Sequence, residues 1–247
     1  MFKPFTGLGL VRRRGEVPSS VDNYRTSSDP SKRRRWKPPA QGWADFSPCG
    51  AYRYTLGREY SIEHRLEGVE SRPGYIVWLM LNPSEAHESH DDPTVHRCFV
   101  RSRSMLLGYR DNRSEIRVGW DSAVVLNLFA LRATNPEVML AAEDPVGPMN
   151  NPVLREVCSG ADFLMIAWGC DGRHRDRDVE VLANLRTQWR VEGGTPRNIY
   201  ALGLNDAFGD RPSPCHPLYL GYDKRAIPLG VQFDVEHRII GIERGPV

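Results

Sequence analysis

Residues 75–84 read YIVWLMLNPS, seven largely apolar side chains that stop at an Asn-Pro-Ser turn. A run without polar alternation, bounded by Gly74 and Pro83, has the pattern of a central strand buried on both faces of a parallel sheet. Open α/β sheets bind ligands beyond the carboxyl ends of such strands. Asn82, the first polar side chain after the run, is therefore a candidate site residue. The plainer reading leaves Asn82 and Pro83 as a strand end and nothing more.

Outward from this strand, three further apolar runs follow at 123–131 (AVVLNLFAL), 163–168 (FLMIAW) and 198–204 (NIYALGL). The first intervening helix is marked by Asp92 as cap and Pro93 at its first position, with Val95, Cys98, Phe99, Met105 and Leu106 at helical spacing. A short helix over about 151–159 precedes the third run, and Val179, Leu182, Leu185 and Trp189 mark another helix after it. Residues 52–56 alternate like an edge strand or one leading into the core, 109–120 read as polar and exposed, and 226–231 add a last short strand. The expected fold is a three-layer α/β/α sandwich with a central, mostly parallel four-stranded sheet and short edge strands. Neither a glycine-rich dinucleotide fingerprint nor a P-loop is present, which removes the usual support for those versions of the architecture.

The 247 residues suit one domain with a tail. Residues 1–45 hold ten Lys or Arg against four acids, a surplus of six, whereas residues 46–247 are four charges in deficit. We expect 1–45 to be a flexible basic segment whose clusters Arg12-Arg13-Arg14 and Lys32-Arg33-Arg34-Arg35 contact phosphates; an idle solvated leader has the same composition. Residues 46–247 form the single α/β domain of this reading. No run is long enough to span a bilayer and the start lacks a signal peptide's apolar core, so a cytoplasmic or nucleoid-associated protein is expected. The five scattered cysteines form no disulfide framework. Cys170 with His174 and Cys215 with His216 lack diagnostic metal spacing, and no metal or cofactor is predicted.

Parallel strands bring their carboxyl ends to one side, which gathers Asn82, Asn127, Gly169 and the loop bearing His216. Asn127 interrupts an apolar run, so its amide must find partners, either a neighbouring loop or a ligand. His216 stands between Pro214 and Pro217 on a stiff backbone, as a fixed donor would, or as a surface histidine without a role.

The stretches YRYTLGR, LNPSEA, DDPTVHRC, NLFALRATNP, DPVGPMNN, AWGCDG and HPLYL, in this order, resemble the bacterial and phage family catalogued as domain of unknown function 1643, over nearly all of residues 50–230. The order of features is also similar, more distantly, to the uracil-DNA glycosylase superfamily. That resemblance implies that Asn82 in MLNP orients water, that Asn127 in VVLNLF reads a pyrimidine edge, that Gly169 ends the strand MIAWG, and that HPLYL supplies His216 as oxyanion stabiliser with Leu220 as a wedge. Met80 and Leu218 depart from the small Gly and the Ser of the superfamily motifs, and the four cysteines of its iron–sulfur branch have no match.

The resulting expectation is a DNA-base N-glycosylase-like enzyme acting on DNA with a modified or mismatched base. Asn82 and His216 are its catalytic residues, and Asn127, Ser84, Asp92, Arg132, Gly169 and Leu220 bind substrate. A non-hydrolytic nucleic-acid-binding or DNA-modification accessory protein, and an enzyme of free modified nucleotides, are the alternatives.

Overall fold

The structure is a computed structural model that describes residues 10–16, 40–60, 68–108, 115–186, 191–192, 195–196, 199–206 and 211–245. In chain order its main strands are β1 (Val11–Glu16), β2 (Ala40–Phe46), β3 (Arg53–Tyr60), β4 (Glu70–Met80), β5 (Met105–Gly108), β6 (Glu115–Asn127), β7 (Phe163–Ile166), β8 (Ile199–Ala201), β9 (Ile227–Phe233) and β10 (Ile239–Arg244). The helices are α1 (Pro93–Arg103), α2 (Pro136–Ala141), α3 (Asn150–Ser159) and α4 (Arg177–Arg186). All ten strands belong to one sheet of order β1-β2-β3-β6-β4-β7-β8-β9-β10, with β5 beside the start of β6.

This corrects the expected four-stranded, mostly parallel sandwich. The four strands read from apolar runs do lie side by side and parallel, as β6-β4-β7-β8. They are only the centre of a mixed sheet, because every pairing outside them is antiparallel. Of the flanking strands, the stretches 52–56 and 226–231 were expected and fall in β3 and β9, whereas β1, β2, β5 and β10 are short or polar along their length and their burial depends on pairing rather than on an apolar run.

Strand periodicity sorts the centre onto two faces. Ile76, Trp78, Met80, Ala123 and Val125 pack with Val95, Cys98 and Phe99 of α1. Val77, Leu79, Val124, Leu126, Leu164 and Ile166 pack against α3 and α4 on the other face. Within the α1 face, the Trp78 indole N–H donates to Ser102 Oγ at 2.8 Å, so the buried ring leaves no unmet donor.

Several boundaries move. Asp92 does cap α1, accepting from the Val95 N–H at 2.8 Å, and Pro93 is its first residue. The helix ends at Arg103, however, and Met105 belongs to β5. Its spacing suits a helix or a strand, and pairing with residues 115–118 decides the matter. The stretch taken as exposed therefore includes the buried Val118 and Trp120 at the start of β6.

The chain also continues past β9 into β10. The Asp234 carboxylate holds the connecting turn by accepting from the Glu236 and Arg238 N–H groups.

Two strands lie within the segment expected to be a flexible tail. β1 pairs along β2, and Arg12 makes a two-point contact with Asp45, Nε to Oδ1 at 2.7 Å and Nη2 to Oδ2 at 2.6 Å. Arg13 lies over the Phe46 ring at 4.9 Å. These arginines are engaged within the fold. The cluster Lys32–Arg35 lies outside the described residues. No helix among the described residues is long and apolar enough to cross a membrane.

Candidate functional site

The carboxyl ends of the central strands are stitched together by backbone bonds. Met80 pairs with Asn127, and beyond the strands Leu128 N–H donates to Met80 O (2.9 Å), Phe129 N–H to Leu81 O (3.0 Å) and Ala167 N–H to Leu79 O (2.8 Å). Gly169 N–H then donates to Pro214 O at 3.0 Å, and this contact brings the loop with His216 to the same edge. Gly169 has φ 76°, and the space where a Cβ would stand is open. Glycine there keeps that backbone unstrained and the approach to the edge clear.

Asn82 is half-buried. Its Nδ2 donates to Ala133 O (2.8 Å) and Pro83 O (3.1 Å), tying the loop after β4 to the loop after β6. The donor half of this amide is spent, and its Oδ1 is the group left to accept.

Asn127 is 2% exposed and sits at the tip of β6 on the α1 face. Its Oδ1 accepts from Arg53 Nη2 at 3.4 Å. From the opposite face Asn150 Nδ2 donates to the main-chain oxygens of Asn127 (3.1 Å) and Leu128 (2.8 Å), and Arg177 Nε also donates to Leu128 O at 2.9 Å. The end of β6 is thus fixed from both sides.

Arg53 and Arg58, both within YRYTLGR, are the residues that the sequence reading missed. Arg53 is buried and donates from Nη1 to Ala86 O at 2.7 Å. Burial lowers its pKa to about 10, opposed chiefly by the Asp92 charge, so it remains a cation at neutral pH. Arg58, equally buried, pairs with Asp91 at 2.5 Å, donates to His87 O at 2.9 Å and lies over Phe99 at 5.1 Å. Together they clamp the loop 84–92 onto β3. The available signal was two arginines in a strand that also carries Tyr54 and Leu56, because a cation placed there needs buried acceptors.

The His216 imidazole accepts the Leu218 N–H at Nδ1 (3.3 Å), which leaves the proton of the neutral ring on Nε2. Burial lowers its pKa, partly offset by Asp92, and the ring is neutral at pH 7. The Asp92 charge therefore favours the protonated forms of both Arg53 and His216.

The other expected contacts are divided. Ser84 is half-buried in the clamped loop. Arg132 is exposed, donates to Gly50 O at 3.3 Å and lies over Phe46 at 5.3 Å, engaged with the β2–β3 connection. The Leu220 side chain packs against the α1 face, and its carbonyl accepts from Arg97 (2.8 Å) and Arg101 (3.1 Å). Its neighbour Tyr219 is 83% exposed. Among the described residues no group of three or more His, Cys, Asp or Glu is arranged to hold a metal ion. His174 lies edge-on to Phe129 at 5.9 Å, and the Cys215 thiol is pushed up by burial.

This geometry defines a mixed α/β protein with Asn82, Asn127 and the His216 loop at the carboxyl edge of its central parallel strands. Residues 53–218 match the family described as protein of unknown function (DUF1643), and the chain belongs to that family. The match begins at Arg53 and reaches past His216, so it spans the whole cluster. No curated protein and no solved structure matches the chain.

Proposed function

We propose that the carboxyl-edge cluster binds a modified pyrimidine base and assists hydrolysis of its N-glycosidic bond, in the manner of the uracil-DNA glycosylase superfamily that the motifs resemble. The observation that carries this reading is the hydrogen-bond polarity of the cluster. His216 is neutral with its proton on Nε2, and Asn127 has an amide whose Nδ2 meets no protein acceptor among the described residues. Two fixed donors suit a base that gathers negative charge as its bond to the sugar breaks. Asn82 contributes the opposite polarity, since its Oδ1 can accept from a water directed at C1′. A carboxamide is no carboxylate base, so its help is positional and turnover is slow unless the leaving base is activated.

The substrate is then a nucleotide extruded from its stack, with the base edge on Asn127 and the developing anion on His216. A second reading, an enzyme of free modified nucleotides, gains support from Arg12 and Arg13, which are occupied by Asp45 and Phe46 and leave less positive charge for a duplex.

The test incubates the full chain with host and phage DNAs carrying natural base modifications, and separately with the matching nucleotides, and follows released bases by mass spectrometry. Release that is lost in a folded His216→Ala protein is the expected result. Release from nucleotides alone selects the second reading, and no release from any substrate rejects hydrolysis.

A further inference from the structure

Arg53 meets the Asn127 carboxamide with a group that can only donate. A guanidinium has no acceptor, so the amide oxygen must face it and the NH₂ must turn away. The opposite orientation would set two donors against each other inside the protein, where neither could be satisfied. The backbone cannot rotate to relieve this, because Asn150 holds the Asn127 carbonyl from the other face at 3.1 Å. Arg53 is itself fixed by its 2.7 Å bond to Ala86 O.

We propose that Arg53 is a specificity-determining positioning residue: it locks Asn127 with Oδ1 toward β3 and Nδ2 toward the ligand, so that the site takes a pyrimidine presenting a carbonyl oxygen in preference to one presenting an exocyclic amine. This rests on the base-binding reading above and names the substrate class within it. An unrestrained Asn amide can rotate to suit either edge. Selectivity therefore lies in the pair and is set by a residue of β3 that need not touch the base.

The test uses two probes that present different edges, 1-methyluracil and 1-methylcytosine, with binding to the full chain measured by calorimetry. The wild-type protein is expected to favour 1-methyluracil on the order of tenfold or more, the cost of facing a donor with a donor. Arg53→Gln supplies a carbonyl that can accept from a rotated Asn127, and the ratio is expected to fall to within about threefold. Arg53→Lys still only donates and is expected to keep the wild-type preference. A role confined to holding the loop at Ala86 would not separate Gln from Lys in this way.

An undiminished ratio in folded Arg53→Gln protein, or equal loss in Arg53→Lys, overturns the proposal and leaves base binding intact. Binding of neither probe to the wild-type protein overturns base binding and the role of Arg53 with it. If Arg53→Gln does not fold, Asn127→Asp decides: its carboxylate satisfies Arg53 and offers no donor, so preference for 1-methyluracil is expected to vanish, and its persistence overturns the proposal.

Discussion

The four central strands and the β1–β2–β3 wing are held together by different means. In the centre, Trp78, Leu79, Val124 and Met165 are sealed between helices on two faces and need no polar partner beyond the ladder, the Trp78 indole excepted. In the wing, Asp45, Arg53, Thr55 and Arg58 are as fully buried, and each bonds to a group on another segment, although Nε of Arg53 and of Arg58 meets no acceptor among the described residues. The centre builds the edge on which the site stands, and the wing delivers the cation that orients Asn127. An apolar core thus supplies position, and a buried polar network supplies direction.

That contrast can be attacked by mutation, and the largest effect is expected on chemistry rather than on folding. If the proposed function holds, His216→Ala removes the donor to the leaving base and should slow product formation roughly 30- to 1,000-fold, corresponding to about 2 to 4 kcal/mol of lost transition-state stabilisation. Its denaturation midpoint should stay near wild type, and steady-state kinetics on a confirmed substrate would check the prediction. A large loss of stability with little change in rate would move His216 from the site to the scaffold.

Matched deletions in wing and centre act on folding instead, at costs of similar size. Arg58→Met strands the Asp91 carboxylate and removes a donor from the His87 and His90 carbonyls, at a cost of about 3 to 5 kcal/mol for breaking a buried ion pair. Leu79→Ala in the centre should cost about 2 to 5 kcal/mol through lost burial and a cavity. Urea unfolding of both proteins sharpens the comparison. An Arg58 variant within about 1 kcal/mol of wild type would mean that the wing is decoration.

A smaller effect is expected at Gly57, where a Cβ would fall within the Trp43 ring across β2 and β3. Gly57→Ala should destabilise by about 1 to 3 kcal/mol, because indole or strand must shift. An unchanged melting temperature would show that Trp43 moves aside freely.

The smallest effect follows from two histidines. Burial lowers the folded-state pKa of His96 and His216 below the ordinary 6.5. Between that lowered value and 6.5 the unfolded chain binds more protons, so stability is complete above pH 6.5 and declines as pH falls through this window. It levels off once the folded rings are protonated. His96→Gln and His216→Gln should each flatten that decline in a series of unfolding curves from pH 7.5 to 5.

The difference between centre and wing also explains what could be read from the residues. YIVWLMLNPS, AVVLNLFAL and FLMIAW announce their strands because burial on two faces requires continuous apolar side chains. Asp92 was legible as a cap because a carboxylate before proline has a local partner, the Val95 N–H. The candidate site was legible only as far as strand tips place its residues, Asn82, Asn127 and the loop of His216. RYTLGREY and VRRRGE carry no comparable signal, since their arginines find acceptors at Ala86, Asp91 and Asp45 only after the chain has folded. Leu220 was assigned by its place in a motif and Arg132 by its loop at the sheet edge, and the packing of Leu220 on α1 and of Arg132 on Phe46 follows from neighbours that no local pattern names.

The most direct measurement is a side-chain ¹H–¹⁵N spectrum of the full chain during titration with 1-methyluracil. If the carboxyl edge is one base-binding site, the amide groups of Asn82 and Asn127 and the His216 ring nitrogens will shift together along a single saturation curve, and the Asn82 and His216 shifts will both vanish in Asn127→Ala protein. Shifts that saturate at different concentrations, or resonances that stay still while the probe binds elsewhere, would contradict the shared site.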